Sequence, residues 1–136
     1  MNRVPLLLLL CLALGCDIKD FELETFPGVS LTATFMVPPA GPRVGLTLAN
    51  GSTARIGYRM CPTTIERREG SEWVPTDWLP VAECSAEYQT LEGGNDAGEA
   101  FNPVGALRAG TYRARATVWR PFGAPQQITS NSFDVP

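Results

Sequence analysis

Histidine occurs at none of the 136 positions, and this bounds the chemistry before any motif is weighed. Its absence removes the commonest general acid and base at neutral pH, the commonest neutral metal ligand, and any Ser-His or Cys-His arrangement for nucleophilic attack. What remains is four cysteines (Cys11, Cys16, Cys61 and Cys84), fourteen carboxylates and eleven basic side chains, of which only Lys19 is a lysine. No Cys-x-x-Cys spacing exists, so no redox pair of that kind is indicated. Glu92, Asn95, Asp96 and Glu99 crowd one glycine-rich segment. They lack the alternating ligands, central glycine and distal glutamate of a calcium loop, and the segment reads as a polar turn. Neither a metal nor a cofactor is expected. A hydrolase built on a carboxylate pair stays open on composition alone, but it needs a cleft that short loops on a small domain rarely build.

Two sets of side chains suit binding. Arg113, Arg115 and Trp119 alternate with apolar residues on one stretch, and Arg55 and Arg59 recur on another. Side by side, these four arginines would line one sheet face and hold a phosphate or carboxylate bidentately. The competing reading is a solvated face paired across strands with Glu66, Glu72 or Asp134. Trp73, Trp78 and Leu79 lie between Cys61 and Cys84, and a tryptophan displayed on a constrained loop is a good contact residue. The expected partner-binding set is therefore Arg55, Arg59, Arg113, Arg115, Trp78 and Trp119. The Trp73 to Pro80 loop offers an alternative, a protease-inhibitor-like contact.

The start of the chain decides where these residues act. Arg3 is followed by a nine-residue apolar run, Leu6 to Leu14, then Gly15 and Cys16. A basic end, an apolar middle and a small-residue cut site form an export signal. The run is far short of the ~20 residues that cross a bilayer. Removal of residues 1–15 leaves ten basic against fourteen acidic side chains, a net charge of −4. That balance is the reverse of a nucleic-acid-binding footprint, so no nucleic-acid partner is expected.

Ala13-Leu14-Gly15-Cys16 resembles the lipoprotein signal of bacteria, in which the cysteine after a small residue receives a diacylglycerol and becomes the new N-terminus. The resemblance implies lipidation of Cys16 and a membrane-anchored, extracytoplasmic protein, periplasmic or at the cell surface. Plain secretion with an unmodified Cys16 is the competing outcome, since Ala13 and Gly15 also suit an ordinary signal peptidase. Cysteine parity bears on the choice. Export leaves Cys16, Cys61 and Cys84, an odd number; with Cys16 lipidated, Cys61 and Cys84 form an even pair that an oxidising compartment would join. Residues 16–27, with Asp17, Asp20, Glu22 and Glu24, then read as an acidic tether spanning at most ~35 Å.

The remaining residues, 28–136, supply the elements that position the arginines. Val29, Leu31, Ala33 and Phe35 share one face of a period-two stretch, and Val44, Leu46 and Leu48 share another. Asn50-Gly51 predicts a hairpin turn. Ile56, Tyr58 and Met60 lead to Cys61, and Thr64 to Val74 reads as a hairpin about Gly70-Ser71. A break is expected from Pro75 to Pro80. Ala86 to Thr90 predicts a strand, residues 93–98 a loop, and Thr111 to Trp119 a strand with Tyr112, Ala114, Ala116 and Val118 inward. Residues 127–135 close the chain. No window supports a ten-residue helix. Seven to nine short strands joined by turn signals predict an all-β antiparallel sandwich.

Leu107-Arg108-Ala109-Gly110-Thr111-Tyr112 resembles the tyrosine corner of immunoglobulin-like sandwiches, with Gly110 permitting the bend and the Tyr112 hydroxyl returning to upstream backbone. With the two hairpin signals and the closing Ser130 to Val135, the span is similar to the bacterial immunoglobulin-like domains of surface lipoproteins. The resemblance implies a non-catalytic binding or scaffolding domain at the cell envelope, whose partner is an envelope protein or an anionic polymer.

Overall fold

The computed structural model describes residues 26–77, 87–102 and 108–136. The expected signal peptide, the tether up to residue 25, Cys16, Trp78 and Cys84 lie outside the described residues. Those described form strands and turns, without a helix among them. The strands are β1 (Val29–Met36), β2 (Arg43–Asn50), β3 (Ile56–Glu69), β4 (Glu72–Thr76), β5 (Gln89–Leu91), β6 (Asp96–Phe101), β7 (Gly110–Trp119), β8 (Gln126–Thr129) and β9 (Phe133–Val135).

They make two antiparallel sheets. The smaller has the order β1-β2-β6; the larger runs β4-β3-β7-β8, with β5 also on β3 and β9 also on β7. The period-two pattern explains why these sheets face each other. Leu31 and Ala33 of β1 and Val44, Leu46 and Leu48 of β2 meet Tyr58, Met60 and Ile65 of β3 and Tyr112, Ala114, Ala116 and Val118 of β7 in one buried core. Each buried Leu or Ile removes enough apolar surface from water to favour the folded state by roughly 1.5–3 kcal/mol. This is the expected antiparallel β-sandwich.

β3 is long because it carries an irregularity. Arg59 pairs with Thr117 and Thr64 with Arg115, so four residues of β3 face the single residue Ala116 of β7. An odd number of extra residues reverses the side-chain alternation. Ile56 and Tyr58 point inward before the bulge, Met60 is buried at its start, and Ile65 points inward after it. Cys61, in the bulge, is buried.

Several expectations need correction. Asn50-Gly51 does not close a hairpin, because β2 and β3 belong to different sheets. It forms a corner between them, and the Asn50 side chain fixes it. Asn50 is 1% exposed. Its Nδ2 donates to the Ala54 and Leu91 carbonyls at 2.8 and 3.1 Å, and its Oδ1 accepts from the Ser52 hydroxyl at 2.6 Å and the Ser52 amide at 3.2 Å. The expected loop at 93–98 ends early: β6 starts at Asp96 and pairs with β2 from Val44↔Phe101 to Ala49↔Asp96. The expected break at Pro75 falls inside β4. This is an edge strand, where a missing amide proton costs no ladder bond. The strand expected over 86–90 is Gln89–Leu91, and the closing stretch divides into β8 and β9.

That division has a structural use. At the gap, Ala114 donates to the Ser130 hydroxyl at 2.8 Å. Asn131 reaches the other sheet, with Oδ1 accepting from Ala33 N–H at 2.9 Å and Nδ2 donating to Ala33 C=O at 3.1 Å. The carboxamide thus takes the place of a neighbouring strand's peptide group along the open edge of β1. The anticipated Tyr112 bond is present, from its hydroxyl to Arg108 C=O at 2.7 Å.

Two tests follow from this packing. Asn50→Ala leaves the buried Leu91 carbonyl without this donor and unties the Ser52 turn, so denaturant unfolding should show a loss of about 2–3 kcal/mol at unchanged m-value; a loss below 1 kcal/mol would refute the corner's role. Tyr58 has its pKa raised, chiefly by burial and secondarily by the Glu99 charge. A raised phenol keeps its proton longer when folded than when unfolded. Its contribution is therefore present below the unfolded tyrosine pKa of ~10 and is lost as pH climbs toward the folded value. Above pH ~10 the native protein should lose stability more steeply than Tyr58→Phe, as read by urea midpoints across pH.

Candidate functional site

The outward face of the larger sheet gathers the charged chemistry of the described residues. Because Tyr112, Ala114, Ala116 and Val118 point inward, Arg113, Arg115, Thr117 and Trp119 must point out. The bulge in β3 puts Arg59 and Glu66 on that same face, opposite Thr117 and Arg113. β4 adds Trp73, and the residue before β5 adds Tyr88.

Glu66 is the hub. It is 4% exposed. Its Oε2 accepts from Arg113 Nε at 2.5 Å and its Oε1 from Arg115 Nη1 at 3.3 Å. A carboxylate removed from water needs such partners, and two guanidinium groups supply them while leaving one positive charge in excess. The Arg113 guanidinium also lies 4.5 Å from the Trp73 ring centroid. A second group stands along the same face. The Arg59 guanidinium sits 4.4 Å over the Tyr88 ring, and Tyr88 meets Trp119 edge-on at 5.0 Å and 79°. Trp119 lies flat against Gly57, where a Cβ would come within 2.1 Å of the indole. Gly57 is thus a seat for the ring. Tyr88 itself is 71% exposed. Arg59 and Arg115 each keep a buried Nε with no acceptor among the described residues.

The structure therefore assembles Arg59, Arg113, Arg115 and Trp119 and separates Arg55 from them. Arg55 precedes β3 and pairs with exposed Glu92 at 2.6 Å; the hydrogen bond first, and then the charge of Glu92, raise its pKa. Glu66 is the acid that partners the row, as one sequence alternative had it, whereas Asp134 accepts from the Thr111 hydroxyl at 2.7 Å. Glu92 and Asn95 belong to the turn before β6, where Asn95 N–H donates to Glu92 C=O at 3.3 Å. Among the described residues no group of three or more acidic or cysteine side chains is placed to hold a metal ion. The part of the Trp73 to Pro80 loop that is described is mostly strand β4.

Tyr88 and the burial of Glu66 were not anticipated. Tyr88 was expected within a strand alongside Ala86 and Thr90, which gave no sign of a binding role, and it lies just outside the three-residue β5. Burial of Glu66 follows from the bulge, which alternation alone does not reveal.

This is an antiparallel sandwich with a cationic and aromatic face on its larger sheet. No protein-family model matches the chain, and no curated protein matches it. Among solved structures, a crystal structure of an ApaA protein from Bordetella pertussis is similar at 15% identity and a TM-score of 0.49, over 79% of this chain and 89% of that one.

Replacing Glu66 with Gln should remove the charge while keeping the shape. A loss of about 2 kcal/mol is expected, with a coupling to Arg113→Ala of about 1 kcal/mol in a double-mutant cycle. Additive effects would show that Glu66 does not organise the row.

Proposed function

We propose that the chain is a membrane-anchored, extracytoplasmic lipoprotein, held by lipid on Cys16, whose immunoglobulin-like sandwich binds an anionic group of an envelope polymer or protein without catalysing a reaction. One observation carries the binding half: three arginines share the outward face of the larger sheet with a single buried carboxylate and three aromatic rings. Glu66 offsets one positive charge, so the row retains an excess of two. The side chains of Arg113 and Arg115 stay 28% and 38% exposed beside Glu66. The rings of Trp73, Tyr88 and Trp119 supply flat apolar area beside those donors, a combination suited to anionic ligands with a carbon framework.

The immunoglobulin-like reading draws support from strand order. β1, β2 and β6 follow one another as strands A, B and E do, and β3, β7 and β8 as C, F and G do. The Tyr112 to Arg108 bond has the span of a tyrosine corner. We further propose that Cys61 pairs with Cys84. In support, Cys61 is buried in the bulge. Such a cross-link over a 22-residue segment would stabilise the fold by roughly 3 kcal/mol in the chain-entropy account.

The test has two readouts. Intact mass of protein from membrane fractions, with Cys16→Ser beside it, is expected to show a native chain beginning at Cys16, heavier by acyl groups and lighter by two hydrogens. A soluble, unacylated chain would overturn the anchor. Retention on immobilised long-chain polyphosphate and polyglutamate is expected to weaken with salt. It should fall about tenfold in Arg59→Ala/Arg115→Ala, the loss of roughly one charged hydrogen bond. Equal retention of the double variant would remove this face from the reading, and the preferred column separates phosphate from carboxylate recognition.

A further inference from the structure

The turn joining β7 to β8 carries a side chain that the binding face does not use. It runs Arg120-Pro121-Phe122-Gly123, closed by Gly123 N–H to Arg120 C=O at 2.9 Å. Proline at the second position and a positive φ at the third make the pattern of a type II turn, whose third position favours glycine. Phe122 occupies that position at φ +63°, the one non-glycine residue with positive φ among the described residues. Its side chain is fully exposed, at 110%. A bulky residue held in left-handed backbone while touching nothing is costly twice over, in strain and in exposed apolar surface. Backbone strain of this kind is characteristically retained where function uses it.

The position of the turn indicates what the ring meets. Arg120 lies over the Phe26 ring at 5.5 Å. Phe26, Arg120, Gly123, Ala124 and Gln126 line a common cleft of about 250 Å³. Phe26 is where the chain arrives from its N-terminal side, and the same end holds the Gly28–Gly51 contact, with Gly51 N–H donating to Gly28 C=O at 2.7 Å. Nine residues lie between Cys16 and Phe26, ten Cα–Cα steps with a reach of at most ~35 Å.

We infer that the Pro121-Phe122 turn is an interfacial contact with the lipid bilayer, its phenyl ring entering the headgroup boundary and so fixing which end of the sandwich faces the membrane. This rests on the lipid anchor proposed above. One ring cannot hold a protein to a bilayer, and here it has no need to. A short tether keeps the turn at high effective concentration over the surface, so a weak contact suffices to orient an anchored domain.

The test uses the processed, acylated protein in phosphatidylcholine vesicles with and without phosphatidylglycerol. In Phe122→Trp, the added indole emission is expected to fall at least twofold when the lipids are brominated near the headgroup end of the acyl chains, against the native tryptophan background. In the native protein, the amides of residues 122–124 are expected to exchange more slowly on vesicles than in solution. Phe122→Gly, which the turn accepts without strain, should lose that protection and keep its fold. An introduced indole as open to aqueous iodide on vesicles as in solution, with unchanged exchange, overturns the contact. Should mass show no acyl group on Cys16, the same measurements are made with the protein held on nickel-chelating lipids by a hexahistidine ahead of Asp17. The mass alone then overturns the anchor; quenching there supports the contact, and its absence there overturns the contact.

Discussion

The pairing of β3 with β7 across a three-residue excess is the constraint on which both the core and the charged face depend. Each strand of a sandwich must present apolar residues to one side only, and β3 is fourteen residues long. Continuous alternation from Tyr58 and Met60 would turn Ile65 to solvent. The bulge after Arg59 reverses the phase, returns Ile65 to the core and sends Glu66 outward. Arg59 and Glu66, seven apart in sequence and so of opposite parity, therefore share a face. Pro62 lies within that bulge and has no amide hydrogen to give; in the centre of a sheet it can stand only where the ladder is already interrupted.

Around this central pair, side chains do work usually left to backbone. Asn50 replaces a turn's own hydrogen bonds with four made by its carboxamide, which lets β2 cross to β3 in the other sheet. Asn131 mimics a peptide group on the edge of β1. An uncovered edge is an aggregation hazard, and a carboxamide at Ala33 interrupts the row of open groups while tying the closing strand to the opposite sheet. Glycine appears where two groups would otherwise collide: Gly57 beneath the Trp119 indole, and Gly110 beneath the Arg67 guanidinium, which would stand 3.0 Å from an added Cβ.

What was legible in the sequence was whatever depended on strict alternation or local turn chemistry. β7 could be read almost residue by residue, because Tyr112, Ala114, Ala116 and Val118 mark one face and arginines the other. The β3–β4 hairpin about Gly70 was legible for the same reason, and Gly70 has the positive φ that such a turn uses. β6 was not legible. It reads Asp-Ala-Gly-Glu-Ala-Phe, with no β-branched residue, and as an outer strand it buries no side chain completely. Asn50-Gly51 misled because local preference for a hairpin was overridden by the tertiary bond from Asn50 to Leu91, helped by the local one to Ala54. For the candidate site, the arginines of β7 were visible and their partner Glu66 was one alternative. Arg55 was placed in the row by proximity in sequence to Arg59, but it lies before the strand begins and turns to Glu92.

The asymmetry between the two sheets gives the proposals a common geometry. On the smaller sheet, the residues alternating with the core set are Ser30, Thr32, Thr34 and Met36 of β1, Arg43, Gly45, Thr47 and Ala49 of β2, and Asp96, Gly98 and Ala100 of β6. Apart from Arg43 and Asp96 at opposite ends of β2, they are uncharged and mostly small, and over Gly45 the Met36 methyl takes the space a side chain would fill. One arginine and one aspartate leave such a face without net charge. The larger sheet concentrates guanidinium groups and rings, and its donors point away from the core, perpendicular to the strands. Phe26 and the Phe122 turn, by contrast, stand at one end of the strands. In a domain tethered at that end, the strands would run up from the bilayer and the charged face would look sideways, along the surface. An anionic partner carried in the same envelope would then approach within the plane it already occupies. The arginine row would need to supply only short-range fit, because the anchor would already have confined the search to two dimensions.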